Sequence, residues 1–399
     1  MNAIATVGIL GGGQLGRMLA LAGLPLGLRF RFLENQTDCP AAAVGEVIVG
    51  RYDDPAALER FARGIDVATY EFENVPAATA RWLTEHVSVF PPERVLAIAQ
   101  DRLSEKEFFR ELGVATPDFI AIDDFDQLPA AAEQLGFPSI LKTRRFGYDG
   151  KGQMTLRSSD DIQSAAERRQ GDVLLGRNRA PESLILESLI PFRRELSIIA
   201  ARSRTGEDAF YPLTQNTHRN GILRESIAPA PGLTPELQLL AESVAERVLD
   251  HTGYIGVLAI ELFELADGTL LANEIAPRVH NSGHWTQDGA GCSQFENHLR
   301  AILGWPLGAT GCHHPHKGGT LTGGRGPHCA MLNILRELPD PKMVLGVPGA
   351  HLHLYGKSPR AGGGGGELRK IGHMNIIADD AQALDERLVV ARSRLARCL

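Results

Sequence analysis

Two glutamates in the segment GVLAIELFELADGTLLANEIAPR have side chains suited to binding a divalent cation. Asp267-Gly268 lies between apolar runs and predicts a two-residue hairpin turn. That turn places Glu261 opposite Glu274, with Cβ atoms roughly 5 Å apart, where like charges repel. A sheet tolerates such a pair when a cation lies between the carboxylates or one is protonated, and oxygen ligands, with Asn273 adjacent, suit Mg²⁺. The alternative is two solvated surface acids, and the hairpin alone does not decide between them.

The segment PSILKTRRFGYDGKGQMTL predicts a strand, a glycine-rich loop and a second strand, an arrangement that can bind phosphate. Lys142 stands near the end of the first strand, from which an ammonium group can reach a phosphate. The loop can fold over phosphates and donate backbone N–H groups, although it lacks the spacing of a Walker A motif. The alternative is a plain hairpin with a surface lysine. The loop and the residue after it are Gly147, Tyr148, Asp149, Gly150, Lys151, Gly152 and Gln153.

Two further acids flank a short connector in LILESLIPFRRELSI. An apolar strand runs into Glu187, and Glu195 begins the next strand. Such a hinge can offer its backbone to a flat apolar ligand such as adenine and a carboxylate to ribose hydroxyls. The other interpretation is a pair of solvated acids at strand ends.

The opening segment TVGILGGGQLGRML matches G-x-G-x-x-G at Gly11, Gly13 and Gly16, and a second strand ends on Glu34. Strand, glycine turn, helix, strand and acid form the dinucleotide-binding pattern, which would indicate an NAD-dependent oxidoreductase. The glycines by themselves require only a tight turn with N–H groups aimed at an anion. An oxidoreductase would leave Lys142, the glycine-rich loop and the paired acids unexplained.

Several types of element must position these side chains. Residues 1–100 alternate short strands with helices, which predicts a doubly wound α/β unit. Residues 90–113 predict one helix, strands dominate residues 117–190, and a long amphipathic helix covers residues 235–251. We predict domain boundaries at 1–102, 103–190, 191–320 and 321–399.

The bulk composition excludes several classes of protein. The 399 residues allow two or three domains, and 43% hydrophobic with 22% charged residues is ordinary for a globular protein. The net charge of −7, with acids and bases interspersed, predicts neither a nucleic-acid nor a membrane partner. No apolar run approaches about 18 residues, and the N-terminus does not resemble a signal peptide. Five scattered cysteines fit reduced thiols, so we expect a cytoplasmic protein.

In chain order, Lys142, the glycine-rich loop, Glu187 with Glu195, and Glu261 with Glu274 resemble the ATP-grasp ligases. That resemblance implies a Rossmann-like N-terminal domain, an ATP-grasp fold with a mobile lid, and a C-terminal domain. The segments GGGQLGRM, TYEFENVP, FGYDGKGQ, YPLTQNTHRNGI and NEIAPRVHNSGHWTQ are similar to the ATP-grasp subfamily that carboxylates 5-aminoimidazole ribonucleotide in purine biosynthesis. The implied reaction consumes ATP and bicarbonate, passes through carboxyphosphate, and gives ADP, phosphate and the N-carboxylated ribonucleotide.

The resemblance also assigns roles to individual residues. It implies a homodimer that uses ATP and Mg²⁺, with Mn²⁺ as an alternative metal and with neither NAD nor biotin. Glu261 and Glu274 would bind the metal, and Tyr148, Lys151 and Lys142 would be catalytic. ATP contacts fall on Arg102, Lys142, the loop residues 147–153, Glu187, Ser188, Leu189, Ile190, Glu195, His218, Asn273 and Glu274. Ribonucleotide contacts fall on Gln14, Glu73, Arg278, His280, Asn281, Ser282, Lys357, Arg369 and Lys370.

Two segments leave alternatives open. Five consecutive glycines interrupt the basic segment 360–370, which is compact in relatives, so Arg360, Arg369 and Lys370 are alternative phosphate ligands. The segment GCHHPHKGG, residues 311–319, suggests a zinc site, but its spacing matches no closed site and a solvated loop is favoured. Competing functions are another ATP-grasp carboxylase or formyl-transfer ligase, a nucleotide-binding regulatory protein, and the oxidoreductase.

Overall fold

The computed structural model describes residues 4–147, 151–170, 183–312, 327–357 and 369–399. Three sheets organise these residues: a five-stranded sheet, a four-stranded sheet and a nine-stranded sheet. Over the described part of the chain, no helix combines the length and the apolar character needed to cross a membrane.

The first sheet is parallel and has the order β3-β2-β1-β4-β5. Parallel neighbours need crossover connections, and the alternation of strands and helices supplies them, as the sequence predicts. The glycine turn of residues 11–16 joins β1 to α1 at the carboxyl end of the sheet. The elements are β1 (Thr6–Leu10), α1 (Gln14–Gly23), β2 (Arg29–Glu34), β3 (Glu46–Val49), α2 (Pro55–Ala62), β4 (Val67–Tyr70), α3 (Ala77–Thr84) and β5 (Ser88–Val89).

The prediction of one helix over residues 90–113 is wrong, because two helices occupy this segment. They are α4 (Glu93–Ala99) and α5 (Arg102–Glu111). Asp101 separates them in an extended conformation and accepts a hydrogen bond from the Leu103 N–H at 3.0 Å. Aspartate favours this N-cap position over a helix interior, so a new helix begins at Arg102.

The second sheet is antiparallel, with the order β6-β9-β7-β8. Strands were expected to dominate residues 117–190, but helices α6 and α7 share this region, and α6 packs against β6 and β9. The elements are β6 (Phe119–Ile122), α6 (Leu128–Leu135), β7 (Ser139–Thr143), β8 (Gln153–Leu156), α7 (Asp160–Gln170) and β9 (Leu184–Ser188).

The third sheet is antiparallel and runs β15-β14-β10-β12-β13-β16-β18-β17, with β11 beside β10. The predicted long helix is confirmed as α8, which ends where Gly253 adopts a left-handed φ of 59°. The elements are β10 (Arg194–Arg202), β11 (Asp208–Phe210), β12 (Thr214–Arg219), β13 (Ile222–Ala228), α8 (Pro235–Thr252), β14 (Gly256–Glu264), β15 (Leu270–Ala276), α9 (Thr286–Gly289), α10 (Gln294–Leu303), β16 (His328–Ile334), α11 (Pro341–Leu345), β17 (Ala350–Leu354), β18 (Gly372–Ala378) and α12 (Ala381–Arg394). Short 3₁₀ helices in the described ranges are Leu24–Leu26, Pro40–Ala43, Phe125–Gln127 and Asn281–Gly283.

The first and third sheets share one hydrophobic core, in which α1 packs against α10. At the centre of this contact the buried ring of His298 joins the two sheets. Its Nε2 lies 2.8 Å from Thr69 Oγ1 on β4, and its Nδ1 accepts from the Val257 N–H on β14 at 3.0 Å. This contact joins the carboxyl end of β4 in the first sheet to the start of β14 in the third.

Candidate active site

Glu261 on β14 and Glu274 on β15 are cross-strand partners, as the sequence predicts. The predicted two-residue turn is wrong, however. Leu265 and Thr269 pair across a three-residue loop in which Gly268 has a φ of 87°, a common hairpin alternative. A β-bulge beside Glu261 then shifts the register by one residue, so the two departures cancel and the glutamates still face each other.

The bulge leaves Asn273 as the extra residue of β15, because Glu261 pairs with Glu274 while the next pair is Leu262 with Ala272. Helix α5 holds this irregular backbone. Lys106 Nζ donates to the Asn273 carbonyl at 2.6 Å. The bulge is therefore a fixed feature that a buried cation supports.

Glu105 of the same helix supports the strand just beyond the bulge, accepting from the Ile275 N–H at 2.6 Å. Burial and the nearby Glu274 raise the pKa of Glu105 to about 8. Adjacent residues of α5 thus hold the Asn273 carbonyl at the bulge and the Ile275 N–H two residues further along β15.

The paired glutamates carry a strong electrostatic signature. Burial, followed by repulsion from Glu274, raises the pKa of Glu261 to about 7. Arg102 Nη1 lies 3.4 Å from Glu274 Oε2, and His280 Nε2 lies 3.7 Å from Glu261 Oε1. Burial lowers the pKa of His280 well below its ordinary value, so this ring is neutral. Two partly exposed acids face each other, and of the pair only Glu274 contacts Arg102. This arrangement fits a divalent cation, which prefers carboxylate oxygens.

Glu187 lies between two buried lysines. Lys142 Nζ, on β7, is 2.9 Å from Glu187 Oε2, and Lys106 Nζ is 3.6 Å from the same oxygen. Burial alone would raise the pKa of Glu187, but the two lysines and Arg102 lower it to about 2. The side chains that the sequence assigned to phosphate and to adenine are thus in direct contact, and Lys106 joins them to the β-bulge at Asn273.

The glycine-rich loop lies between β7 and β8, and the structure describes its residues 147 and 151–153. The Thr143 N–H donates to the Gly152 carbonyl at 2.8 Å, and Lys142 pairs with Gln153. Arg102 Nη2 approaches the Gly147 carbonyl at 3.5 Å, which brings the loop towards Glu274. The predicted loop residues Tyr148, Asp149 and Gly150 lie outside the described residues, whereas Lys151 is described.

The residues that the sequence assigns to adenine and ribose lie on or next to strands β9, β10 and β12. Glu187 and Ser188 end β9, and the Leu189 N–H bonds to the Pro138 carbonyl at 3.2 Å, with Ile190 next along the connector. Glu195 on β10 bonds to His218 Nδ1 on β12 at 2.8 Å. Burial opposes protonation of His218, but its bond to Glu195 raises its pKa overall.

The predicted ribonucleotide residues come from three distant parts of the chain. Glu73 accepts from Arg278 Nε at 2.6 Å, and Arg278 keeps the pKa of Glu73 below its ordinary value although burial opposes this. Gln14 Oε1 accepts from Lys357 Nζ at 2.5 Å, and the Lys370 carbonyl lies 3.4 Å from the same ammonium group. These contacts place the start of α1 beside Lys357 and Lys370.

The remaining predicted substrate residues include three whose side chains form hydrogen bonds within the protein. His280 Nδ1 lies 2.9 Å from Ser282 Oγ, and Asn281 exchanges hydrogen bonds with Asn333 on β16. Arg369 is exposed, and Arg360 lies outside the described residues.

Sequence reasoning missed three buried charged residues: Glu71, Glu105 and Lys106. Two signals were available for them. Arg102 and Lys106 are four residues apart on α5 and therefore share a helix face. Glu71 and Glu73 alternate in TYEFEN, which places both side chains on one face of an extended segment.

The histidine-rich segment gives no support for a zinc site. His313, His314 and His316 lie outside the described residues, and no group of three His, Cys, Asp or Glu side chains within the described ranges is arranged to hold a metal. His351 and His353 share one face of β17, and both contact Asp288, the latter at 2.7 Å. His353 is hydrogen-bonded to Asp288, whereas His351 lies 3.4 Å from the same carboxylate.

Comparison with known proteins gives three adjoining family matches. A ribonucleotide synthetase preATP-grasp domain matches residues 4–100, an ATP-grasp domain matches residues 107–295, and a phosphoribosylaminoimidazole carboxylase C-terminal domain matches residues 329–387. Together these matches extend over most of the chain.

Whole-length relatives agree with these matches. N5-carboxyaminoimidazole ribonucleotide synthase of Pseudomonas aeruginosa is 47% identical over 96% of this chain and 97% of that protein. The crystal structure of the synthetase from Thermus thermophilus is 48% identical, with a TM-score of 0.85 over 98% of both chains. The Aspergillus clavatus synthase, solved with ADP and 5-aminoimidazole ribonucleotide, is 27% identical with a TM-score of 0.82 over 98% of this chain and all of that one. The chain therefore belongs to the N5-carboxyaminoimidazole ribonucleotide synthase family of ATP-grasp, ADP-forming ligases.

Proposed function

We propose that this protein carboxylates 5-aminoimidazole ribonucleotide to N5-carboxyaminoimidazole ribonucleotide, with ATP and bicarbonate as co-substrates, in de novo purine biosynthesis. The observation that carries the proposal is the similarity to these synthases along 96% of the chain. The contacts among Lys142, Glu187, Arg102 and the two facing glutamates support it, because they supply the charges that a nucleotide triphosphate with its metal requires.

The metal would bind between Glu261 and Glu274, with Asn273 beside them. The fit rests on the cross-strand pairing of the two glutamates. The raised pKa of Glu261, caused by burial and then by repulsion from Glu274, agrees with it, since a divalent cation between the carboxylates removes the repulsion. Mg²⁺ is the proposed ion and Mn²⁺ the alternative, and when bound it neutralises phosphate charge during phosphoryl transfer. Arg102, which lies 3.4 Å from Glu274, would hold that carboxylate in position for the metal.

The chain's cations would act on the phosphates of ATP. Lys142 leaves Glu187 to contact the phosphates, while Lys106 continues to neutralise Glu187 near the adenine. Residues 188–190 offer backbone groups to the base, and Glu195 with His218 faces the ribose. These roles follow the family pattern. The 2.9 Å contact between Lys142 and Glu187 supports them, because it places the side chains proposed for phosphate and for adenine next to each other.

Bicarbonate is a poor electrophile and must be activated. One of its oxygens would attack the γ-phosphorus, the bond to the β-phosphate oxygen would break, and ADP and carboxyphosphate would form. Cleavage of the carboxyphosphate C–O bond then releases phosphate and CO₂, and the substrate amine forms the new C–N bond and loses a proton. Tyr148, Lys151 and Lys142 would shield this intermediate from water and hold its charge.

The ribonucleotide would bind where three chain segments meet. Glu73 and Arg278 would contact the aminoimidazole side together with His280, Asn281 and Ser282. Lys357 with Gln14 would contact the phosphate end, where Arg369 and Lys370 add positive charge. Neither NAD nor biotin takes part in this proposal.

We further propose that residues 1–102, 103–190, 191–320 and 321–399 act as a Rossmann-like domain, a lid subdomain, a metal-binding subdomain and a substrate-phosphate subdomain. The protein would act in the cytoplasm as a homodimer. Light scattering on the purified chain tests the dimer, and a monomer at assay concentration would contradict it.

The test of the function is ADP release from Mg-ATP and bicarbonate, with and without 5-aminoimidazole ribonucleotide. Strong stimulation by the ribonucleotide, with formation of the carboxylated product, is the expected result. Turnover that ignores the ribonucleotide would indicate another ATP-grasp carboxylase or a formyl-transfer ligase. The absence of turnover in both assays would contradict the proposal.

A further inference from the structure

Carboxylates from within the protein fill the glycine turn of residues 11–16. Glu71, which follows β4, accepts from the Gly13 N–H and from the Gly16 N–H, the latter at 2.7 Å. Glu34, at the end of β2, accepts from the Gly12 N–H at 2.9 Å. The backbone donors that would bind a dinucleotide phosphate at such a turn are therefore already used.

The glycines make room for the Glu71 side chain. A Cβ atom on Gly11 would overlap Glu71 Cγ, and one on Gly13 would overlap Glu71 Oε1. Gly11 also has a φ of 102°, a conformation that other residues rarely adopt. The spacing that suggests a dinucleotide is thus required by an internal carboxylate.

The turn leads directly to the proposed substrate contacts. Gln14 follows Gly13 and begins α1, and its Oε1 accepts from Lys357 Nζ at 2.5 Å. The peptide that carries Gln14 is fixed by the Gly13–Glu71 bond on one side and by the Gly16–Glu71 bond one turn later. Burial raises the pKa of Glu71 overall, and the N–H groups of Gly16 and Gly13 together with the Lys357 charge oppose that rise.

We propose that Glu71 is a positioning residue that takes the place of an external anion at the glycine turn and holds Gln14 and Lys357 in position for the ribonucleotide. The inference rests on the proposed function for the identity of that substrate. The role is distinct from those that the family resemblance implies. Glu71 contacts neither the ribonucleotide nor ATP in this proposal, and it acts through Gln14 and Lys357.

The first experiment compares steady-state kinetics of wild type, Glu71→Gln and the control Tyr70→Phe. Glutamine keeps the size of the side chain but can accept only through its single oxygen, and its NH₂ group faces the second N–H. We expect the KM for the ribonucleotide to rise about tenfold, since hydrogen bonds to charged groups are the stronger ones. The KM for ATP and the kcat stay within about threefold, because the substrate-binding geometry alone is disturbed. Tyr70→Phe removes a buried neighbouring hydroxyl that has no hydrogen-bond partner among the described residues, and it leaves these constants unchanged.

The second experiment restores the missing anion to Glu71→Ala with sodium formate. Formate is expected to lower the raised ribonucleotide KM and to raise the melting temperature of this variant, with neither effect in wild type or with sodium chloride. If Glu71 had a merely structural role, formate would raise the melting temperature of the variant without lowering its ribonucleotide KM.

The outcomes separate the two proposals. An unchanged ribonucleotide KM in Glu71→Gln would overturn the positioning role, and so would the failure of formate to stabilise a folded Glu71→Ala. If wild type shows no ribonucleotide-dependent turnover, the proposed function fails, and the formate-dependent melting temperature still decides whether Glu71 acts as an internal anion.

Discussion

Two pairs of glutamates lie close together in this molecule, and their surroundings differ. Glu34 and Glu71 meet at the glycine turn, where backbone N–H groups of three glycines donate to their oxygens. Glu261 and Glu274 meet across a hairpin, where a neutral histidine lies 3.7 Å from the first and Arg102 lies 3.4 Å from the second. Burial raises the pKa of Glu71 and of Glu261 in these two places.

The difference teaches that a pair of acids indicates a cation site only when the surrounding backbone does not already neutralise it. At the glycine turn, the donors at the start of α1 complete the arrangement from inside the fold. At the hairpin, two carboxylates in a sheet repel each other and fit a divalent cation. The spacing of glycines or acids in the sequence therefore predicts a binding site only together with the side chains and backbone groups that the fold places beside them.

The largest expected effect comes from breaking the hairpin pair. Glu274→Gln should reduce ribonucleotide-dependent ADP release by at least about 100-fold, because the proposed metal loses a charged ligand. Raising the Mg²⁺ concentration should restore part of the activity. Glu246→Gln, the same change at an exposed position of α8, serves as the control. Full activity of Glu274→Gln at ordinary Mg²⁺ concentrations would remove the basis for a metal at this hairpin.

The next effect tests the support beneath the hairpin pair. Lys106→Met should lower the free energy of unfolding by about 2 kcal/mol, since the Asn273 carbonyl and Glu187 lose a buried donor. The KM for ATP should rise as well, because Glu187 then competes more strongly for Lys142. Urea denaturation and ATP kinetics measure the two changes, with the exposed Lys342→Met as the matched control. A variant as stable as wild type would show that the bulge needs no buried cation.

A smaller, pH-dependent effect concerns His298, whose ring joins the first sheet to the third. Burial lowers the pKa of His298 to about 4, below its unfolded value of 6.5. The folded state therefore binds fewer protons between these values, and stability falls as the pH drops from 6.5 towards 4, by at most about 1.4 kcal/mol per pH unit. The neutral ring is needed because Nδ1 accepts from Val257.

Urea denaturation across this pH range measures the slope in wild type and in His298→Gln. The glutamine variant lacks the titrating ring and should show a shallower slope, whereas the exposed His251→Gln should keep that of wild type. Equal slopes in wild type and His298→Gln would contradict the assignment.

The smallest effect is expected at the other acid of the glycine turn. Glu34 accepts from the Gly12 N–H, from the adjacent Asn35 N–H and from the Tyr52 hydroxyl, so only one of its bonds reaches the glycine turn. Glu34→Gln retains an oxygen that can accept from the Gly12 N–H, so the KM for the ribonucleotide should change by less than about threefold. Glu71 bridges two N–H groups and should be the more sensitive position. Parallel kinetics on both variants measure the ranking, and a larger effect at Glu34 would reverse it.

Much of the fold and the proposed site could be predicted from local patterns. The parallel first sheet, α8 and the facing of Glu261 with Glu274 were predicted from hydrophobic periodicity and turn residues, and the structure confirms them. The predicted pairing of Glu261 with Glu274 was correct only because two irregularities, a longer loop and a β-bulge, offset each other. The separate α4 and α5 were missed because Asp101 was counted as an ordinary helical residue instead of an N-cap.

The amino-acid sequence by itself determined the alternation of strands and helices in the first sheet, the long helix α8, the lysine-bearing strand and the motifs that place the chain in its family. These features depend on local propensity and spacing, which near neighbours encode. The tertiary structure alone decided which charges are neutralised. Lys106 reaches Asn273 across 167 residues, and Lys357 reaches Gln14 across 343. Burial and electrostatic partners arise only when such distant segments pack together, which is why the glycine turn proved to hold its own acids while the hairpin acids face each other.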